Sequence, residues 1–139
     1  MAIFSQQSSY DLHDGKELEL MLSEKKPLAF FYEDADMSPT ASQVPEVDFD
    51  PFVEEGRLCK GEVVVEGAID PRTARPVRTR YVLYAVREEQ WRIPAMILVW
   101  RTMLRTKKRP DEGLDRLTGS LLGYTDEQND EYISTGTNY

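Results

Sequence analysis

The sequence predicts a small α+β domain, in which a three-stranded, mainly antiparallel sheet is covered on one face by a buried helix. Three observations predict this fold. Residues 91–104 form a long apolar stretch with helical spacing, residues 58–69 and 77–86 are β-rich runs around a turn-rich connection, and residues 28–33 form a shorter apolar run. The 139 residues suit one domain, predicted to span 1–139.

The central helix is predicted from the stretch WRIPAMILVWRTML, residues 91–104. A helix that is apolar over most of its circumference needs cover from at least two sides. We therefore expect a buried helix at about 93–106, with two short C-terminal helices on its flank. The apolar run is well short of the roughly 20 residues that cross a bilayer, so no membrane contact is expected. Its apolar face comprises Ile93, Met96, Ile97, Trp100 and Leu104, widened by Ala95, Leu98, Val99 and Met103.

Three segments are predicted within the first 33 residues. Residues 1–10 are mostly small and polar and are predicted to be flexible. An N-terminal helix is predicted to begin at Asp14, because Glu17 three residues later resembles a capping box, and to end before Pro27. The run 28–33 is apolar and aromatic, which predicts a strand buried on both faces.

Alternation along the two β-rich runs assigns their side chains to opposite faces of the sheet. In the first run, Val63 and Val65, and more loosely Gly67 and Ile69, share one predicted face. On the other face, a hairpin would bring acidic side chains of one arm beside basic side chains of the other, Glu62 and Glu66 beside Arg78 and Arg80.

The C-terminal part of the chain predicts two short helices. Asp111 is a candidate N-cap and Gly123 a candidate C-terminal stop for the first helix. Thr125 and Gln128 have the spacing of a capping box at the start of the second. Residues 134–139 are predicted to be flexible. The apolar face of the first helix comprises Leu114, Leu117, Leu121 and Leu122.

Residues 34–50 contain prolines, small polar residues and acids without helical or strand periodicity. They predict a long acidic loop, followed by one helical turn that starts at Asp50 and Pro51. Phe49 and Phe52 lie among the acids, where they could anchor a protein partner or equally pin the loop to its own core. The candidate partner-binding residues are Glu33, Asp34, Asp36, Asp48, Phe49, Asp50 and Phe52.

The net charge of -8 is unevenly distributed along the chain. Residues 1–71 carry 16 acidic and 5 basic side chains, residues 110–139 carry 7 and 1, and residues 72–109 carry 2 and 11. Either the basic segment binds a polyanion or the segments neutralise one another on folding. Against the first interpretation, the residues outside the basic segment sum to -17 and would repel a nucleic acid. A nucleic-acid site would use Arg72, Arg75, Arg78, Arg80, Lys107, Lys108 and Arg109.

Few residues offer catalytic or metal-binding chemistry. Cys59 is the only cysteine, which excludes an internal disulfide or a cysteine-based zinc site and favours a cytoplasmic setting. His13 is the only histidine, which excludes any site that needs two. Glu33, Asp34 and Asp36 could bind a divalent cation, but the residues after them lack the glycine and terminal glutamate of a calcium loop. No nucleotide-binding, hydrolase or zinc-protease motif is present, so no cofactor is expected.

These observations predict a non-enzymatic acidic protein that binds another protein, as an inhibitor, an immunity-type factor or an adaptor. The two edges of a small sheet can pair with a second chain, which predicts a homodimer. A nucleic-acid-binding protein that uses the arginine-rich hairpin is the first alternative. A small carboxylate- or metal-dependent enzyme is the second.

Overall fold

The computed structural model describes residues 16–37, 39–106 and 112–136. Five α-helices and three strands lie within these ranges, which confirms the predicted α+β class. Short 3-10 turns occupy Pro39–Ala41 and Arg87–Glu89. In chain order the elements are α1 (Glu17–Leu22), β1 (Leu28–Asp34), α2 (Glu46–Glu54), β2 (Leu58–Asp70), β3 (Arg75–Val86), α3 (Arg92–Thr106), α4 (Glu112–Leu121) and α5 (Asp126–Gly136).

The strands form one antiparallel sheet in the order β1-β3-β2, so β3 is the central strand. Leu28 of β1 lies opposite Ala85 of β3, and Leu58 of β2 lies opposite Val86. Residues 71–74 connect β2 to β3 as a turn, which confirms the predicted hairpin. The outer strands β1 and β2 each have one edge that pairs with β3 and a second edge that faces away from it.

The register between β2 and β3 shifts part-way along the hairpin. Before the shift Glu66 lies opposite Arg78, and after it Ile69 lies opposite Pro76. Because cross-strand partners share a face, this bulge moves Ile69 onto the face of Glu66. The prediction that Ile69 shares a face with Val63 is therefore wrong, since simple alternation does not anticipate a bulge.

One face of the sheet packs against α3, as predicted. Close approach of α3 to β2 depends on Gly61, where an added Cβ would lie 2.5 Å from Cγ2 of Ile93. The prediction that apolar burial extends around most of this helix is wrong for Leu98, which is 61% exposed because the sheet and α4 cover the opposite side. Among the side chains of α3 that the structure describes, the buried ones are Ile93, Met96, Val99 and Trp100.

The other face of the sheet is covered by α1 and α2. Met21 of α1 and Phe49 of α2 pack with Ala29 and Tyr84 in a second core. Residues 82–85 of β3 are all fully buried, so the central strand carries apolar side chains on both faces. The prediction of a sheet covered on one face is corrected accordingly, because the first part of α2, residues 46–49 including Phe49, was expected to belong to a loop.

The segment 34–50 is not a continuous loop. A 3-10 turn occupies Pro39–Ala41, and α2 begins at Glu46 rather than at the predicted Asp50–Pro51 pair. The proline lies inside the helix, where it lacks the N–H that would complete the backbone ladder. The helix forms nonetheless because Phe49, 3% exposed, is buried against the sheet.

The C-terminal helices α4 and α5 pack on each other, and α4 also contacts α3. The capping box is confirmed, because the Thr125 N–H donates to Oε1 of Gln128 at 2.8 Å and the Gln128 N–H donates to Oγ1 of Thr125 at 3.1 Å. Gly123 follows α4 with a φ of +93°, as expected of a residue that ends a helix. Helix α5 extends to Gly136, so residues 134–136, which were predicted to be flexible, are helical.

Several predicted features lie outside the described residues. They are the segment 1–10, His13, the caps Asp14 and Asp111, and the segment 137–139. Within the described ranges, none of the helices combines the length and the apolar character needed to span a membrane.

Candidate partner-binding groove

A groove opens between α1 and the segment 43–52, on the face of the sheet opposite α3. Its volume is about 1070 Å³. Its lining combines apolar side chains, which we call the floor, with charged side chains, which we call the rim. The floor comprises Leu18, Leu22, Phe31, Phe49 and Phe52, and the rim comprises Lys16, Glu17, Glu19 and Asp48.

The spacing of apolar residues in two helices produces the walls of this groove. In α1, Met21 is buried in the core, whereas Leu18 and Leu22 are only partly buried. In α2, Phe49 is buried and Phe52 is partly buried. Because residues three or four apart lie on one side of a helix, each helix presents an apolar strip to the groove.

Phe49 anchors α2 to the protein's own core. Its ring stacks on Tyr84 with centroids 4.5 Å apart, and it meets Phe31 edge-on at 5.3 Å. Of the two interpretations left open by the sequence, pinning to the core therefore applies to Phe49. Phe52 packs less deeply against the same core, and the Arg57 guanidinium lies 5.4 Å from its ring centroid. Phe52 thus leaves more of its surface to the groove than Phe49 does.

Beside the groove, Arg80 of β3 contacts three carboxylates. Its Nη1 donates to Oε2 of Glu33 at 2.9 Å, its Nη2 donates to Oε2 of Glu46 at 3.1 Å, and its Nε contacts Glu62. Nζ of Lys60 donates to Oε2 of Glu46 at 2.6 Å. These charge-assisted hydrogen bonds connect α2 to all three strands of the sheet.

The contacts favour the charged forms of Glu33, Glu46 and Lys60. Burial would raise the pKa of Glu33, but hydrogen bonds from Ser42 and Arg80 lower it below its ordinary value. The hydrogen bond from Arg80 is the main reason that the pKa of Glu46 is lowered. Burial would lower the pKa of Lys60, but its hydrogen bonds to the acids of α2 raise it. All of these groups are therefore charged at neutral pH.

Asp50 completes the contact of α2 with the sheet. The Tyr84 hydroxyl donates to its Oδ1 at 2.8 Å, and Nζ of Lys60 donates to its Oδ2 at 3.1 Å. Burial first, and the hydrogen bond to Asp50 second, raise the pKa of Tyr84 far above its ordinary value. The candidates Glu33 and Asp50 thus contribute to the internal network rather than to the lining of the groove.

The chain matches no protein-family model, no curated protein and no solved structure. Of the seven predicted partner-binding residues, the structure brings three together at one surface. Asp48, Phe49 and Phe52 lie together at the groove.

The two remaining acidic candidates lie away from the groove. Oδ1 of Asp34 accepts the backbone N–H of Asp36 at 2.9 Å, and the Asp36 carboxylate pairs with Arg78. No group of three or more His, Cys, Asp or Glu side chains is placed to bind a metal ion among the residues that the structure describes. Cys59 is partly buried, with its Sγ 3.5 Å from Oε1 of Gln90.

Neighbouring acids neutralise much of the arginine-rich hairpin. Nη1 of Arg78 lies 2.6 Å from Oδ1 of Asp36, its Nε lies 3.9 Å from Oε1 of Glu66, and Nη2 of Arg72 lies 3.3 Å from Oδ2 of Asp70. Arg75 is exposed. The structure confirms the two predicted acid–base contacts between the arms of the hairpin, Glu66 with Arg78 and Glu62 with Arg80. Lys107, Lys108 and Arg109 lie outside the described residues.

Sequence reasoning did not identify Glu46, Lys60 and Tyr84 as members of the network, nor the α1 side of the groove. One signal was available. Glu46 and Asp50 are four residues apart, so a helix that begins at Glu46 places both carboxylates on one side. That signal was lost because the helix was predicted to start at Pro51.

Proposed function

We propose that this protein is a non-enzymatic interaction protein, whose groove binds a basic, apolar-anchored segment of another protein. The observation that carries the proposal is the combination of an aromatic floor with an acidic rim in one concave surface. Phe31, Phe49 and Phe52 line the floor, and Glu19 and Asp48 are exposed at the rim. Apolar anchors give a partner binding free energy, while the surrounding charges select its sign and speed its approach.

The charge of the surrounding chain favours a basic partner. Residues 16–55, which include α1, β1 and α2, carry 11 acidic and 3 basic side chains. Glu33, Glu46 and Asp50 are neutralised in part by Arg80 and Lys60, but the rim lies outside that network. The groove is therefore predicted to exert a negative potential on an approaching segment.

The geometry also favours protein binding over nucleic-acid binding. Arg78 and Arg80 contact carboxylates of their own chain, so a phosphate would have to displace Asp36 or Glu33. The partly exposed rings of Phe31 and Phe52 lie instead in an acidic groove, from which phosphates would be repelled. We also propose a cytoplasmic setting, which the single cysteine favours, and a role as an inhibitor, an immunity-type factor or an adaptor.

Fluorescence anisotropy with a designed probe tests the groove. The probe is a labelled amphipathic helical peptide of about 16 residues with leucine and tryptophan on one face and lysine on the other, and the comparison peptide replaces each lysine with glutamate. We expect the full-length protein to bind the basic peptide, with an affinity that falls as salt is raised, and not the acidic one. The double variant Glu19→Lys, Asp48→Lys should weaken binding at least about tenfold, because it reverses the sign of the rim.

A matched variant controls for net charge. Glu54→Lys, Glu127→Lys changes the charge of the chain by the same amount at two exposed positions that do not line the groove, and should bind like wild type. Equal weakening by both double variants would overturn the proposal, since binding would then follow net charge alone. Binding of the probe only to the variant Ile3→Ser, Phe4→Ser would also overturn the proposal. It would show that the chain's own N-terminal residues occupy the groove.

A further inference from the structure

The solvent-facing side of α3, together with Trp91 directly before the helix, carries an apolar stripe that no described element covers. Trp91 is 54% exposed, Leu98 is 61% exposed, and Pro94 between them is also exposed. The spacing of these residues, three and then four apart, places them on one side of the helix. Exposed tryptophan and leucine in a row mark an interaction surface more often than exposed residues scattered singly.

Neighbouring residues fix the orientation of Trp91. Its indole Nε1 donates to Oε2 of Glu89 at 2.9 Å, and the Arg92 guanidinium lies 4.7 Å from its ring. Nη1 of Arg92 donates in turn to the carbonyl oxygens of Ser120 and Leu121 at 3.0 and 3.1 Å, which anchors it to the end of α4. The tryptophan is thus oriented before any partner arrives, which lowers the entropy cost of binding.

The stripe has the apolar character that the groove requires and lies in a basic stretch of the sequence, since residues 87–109 carry 7 basic and 2 acidic side chains. Beside the stripe itself, Arg101 is exposed one turn beyond Leu98, and Glu89 contacts Trp91. The groove, by contrast, lies in a segment with a net charge of -8. The stripe and the groove lie on opposite sides of the sheet, because α3 covers one face and α1 with α2 covers the other.

We propose that the partner includes a second copy of this chain, and that the α3 stripe, Trp91, Pro94 and Leu98, of one copy binds in the groove of the next. The inference rests on the chemistry proposed for the groove and names its occupant. Since two different surfaces meet, the contact is head-to-tail, and each added copy leaves one stripe and one groove unfilled. Assembly therefore continues beyond a dimer as concentration rises.

Two variants that each lose one surface test this arrangement by sedimentation equilibrium. The stripe variant is Trp91→Ser, Leu98→Ser, and the groove variant is Glu19→Lys, Asp48→Lys. All four positions are exposed, so both variants are expected to fold. Wild type should show a mass that rises past that of a dimer with concentration. Each variant alone should remain monomeric, and an equimolar mixture should form a one-to-one dimer and nothing larger, because only one functional stripe can meet one functional groove.

Controls remove exposed apolar side chains elsewhere. Val47→Ser, Leu117→Ser changes residues that are 87% and 46% exposed and lie outside both surfaces, and should assemble like wild type. A mixture of the two test variants that stays monomeric, a stripe variant that assembles like wild type, or a wild type that is monomeric throughout would each overturn the inference. Peptide binding separates this failure from failure of the groove, since a stripe variant that still binds the basic probe leaves the proposed function intact.

Discussion

The ring of Phe49 in α2 stacks on the ring of Tyr84 in β3, with centroids 4.5 Å apart and planes inclined by 27°. Phe49 is 3% exposed and Tyr84 is fully buried. The stack places α2 over the sheet, so the position of the groove wall depends on a core contact. Partner binding and stability are therefore linked through this pair.

Replacing Phe49 with alanine should destabilise the protein by about 3 to 5 kcal/mol, because it opens a cavity between α2 and the sheet. Urea denaturation followed by circular dichroism measures this loss. Phe52→Ala should cost clearly less, because that side chain is only partly buried. In the binding assay, compared at equal folded fraction, the order of the two variants should reverse. Phe52→Ala should there weaken binding of the basic probe more than Phe49→Ala does. Equal stability losses at both positions would contradict the assignment of Phe49 to the core.

Arg80→Met should destabilise the protein by about 2 kcal/mol at neutral pH, between the values for exposed and fully buried ion pairs, since the Arg80 side chain is 19% exposed. The variant leaves Glu33 and Glu46 without their main cation. Arg78→Met is the matched control in the same strand. Its ion pairs are more exposed, and it should change stability by less than about 1 kcal/mol. Equal losses of stability for Arg80→Met and Arg78→Met would show that the network around Arg80 contributes no more than the exposed ion pairs of Arg78.

The same network predicts a dependence on pH. The pKa values of Glu33 and Glu46 are lowered in the folded protein from an ordinary value of 4.5. Carboxylates with lowered pKa values contribute stability above their unfolded pKa, and this contribution is lost as the pH falls through the folded pKa. The stability difference between wild type and Arg80→Met should therefore be largest above about pH 5 and should shrink towards pH 3. A difference that stays constant over this range would contradict the assignment.

The burial of Lys26 predicts a second pH dependence of stability, at alkaline pH. The residue is 3% exposed, and its Nζ donates to the carbonyl oxygen of Leu122 at 3.1 Å and lies 5.0 Å from the Tyr124 ring centroid. Burial lowers its pKa to about 8, although Glu17 acts in the opposite direction. Between this value and the ordinary 10.5, the unfolded chain binds a proton that the folded protein does not. Stability from this group consequently rises with pH in that window.

Relative to Lys26→Met, the free energy of unfolding of the wild type should rise by about 2 kcal/mol between pH 7 and pH 9.5. The reason is that pH 9.5 lies about 1.5 pH units above the pKa of Lys26 in the folded protein. Chemical denaturation at four or five pH values gives this difference directly. The variant Lys25→Met, at the exposed neighbouring position, should follow the wild-type profile. Parallel profiles for wild type and Lys26→Met would refute the prediction.

Gly119→Ala should separate α4 from α5, because an added Cβ would overlap the side-chain amide of Asn129. Asn129 is 2% exposed and its Nδ2 donates to Oγ of Ser120 at 3.2 Å, so it has little room to move. We expect a loss of about 1 to 3 kcal/mol in thermal or urea unfolding. Gly113→Ala, at an exposed position of the same helix, should instead be neutral or stabilise by up to about 1 kcal/mol. A neutral Gly119→Ala would mean that the two helices do not pack this closely.

Local patterns in the sequence were sufficient wherever neighbours along the chain decide the structure. Helical spacing predicted α3, alternation and turn residues predicted the β2–β3 hairpin, and the Thr125–Gln128 spacing predicted the start of α5. Each of these signals depends on hydrogen bonds or faces shared by residues close in sequence. They also predicted that Asp48, Phe49 and Phe52 would lie together in an acidic segment.

Tertiary packing decided the remainder. Burial of Phe49 on Tyr84 forms a helix through Pro51, the bulge in β2 reverses the face of Ile69, and Arg80 collects carboxylates from β1, α2 and β2 that lie far apart in the chain. Such contacts stabilise a local conformation by free energies that exceed the local preferences of the chain. The groove exists only because two helices from separate segments cover the same face of one sheet, and no pattern within either segment specifies that arrangement.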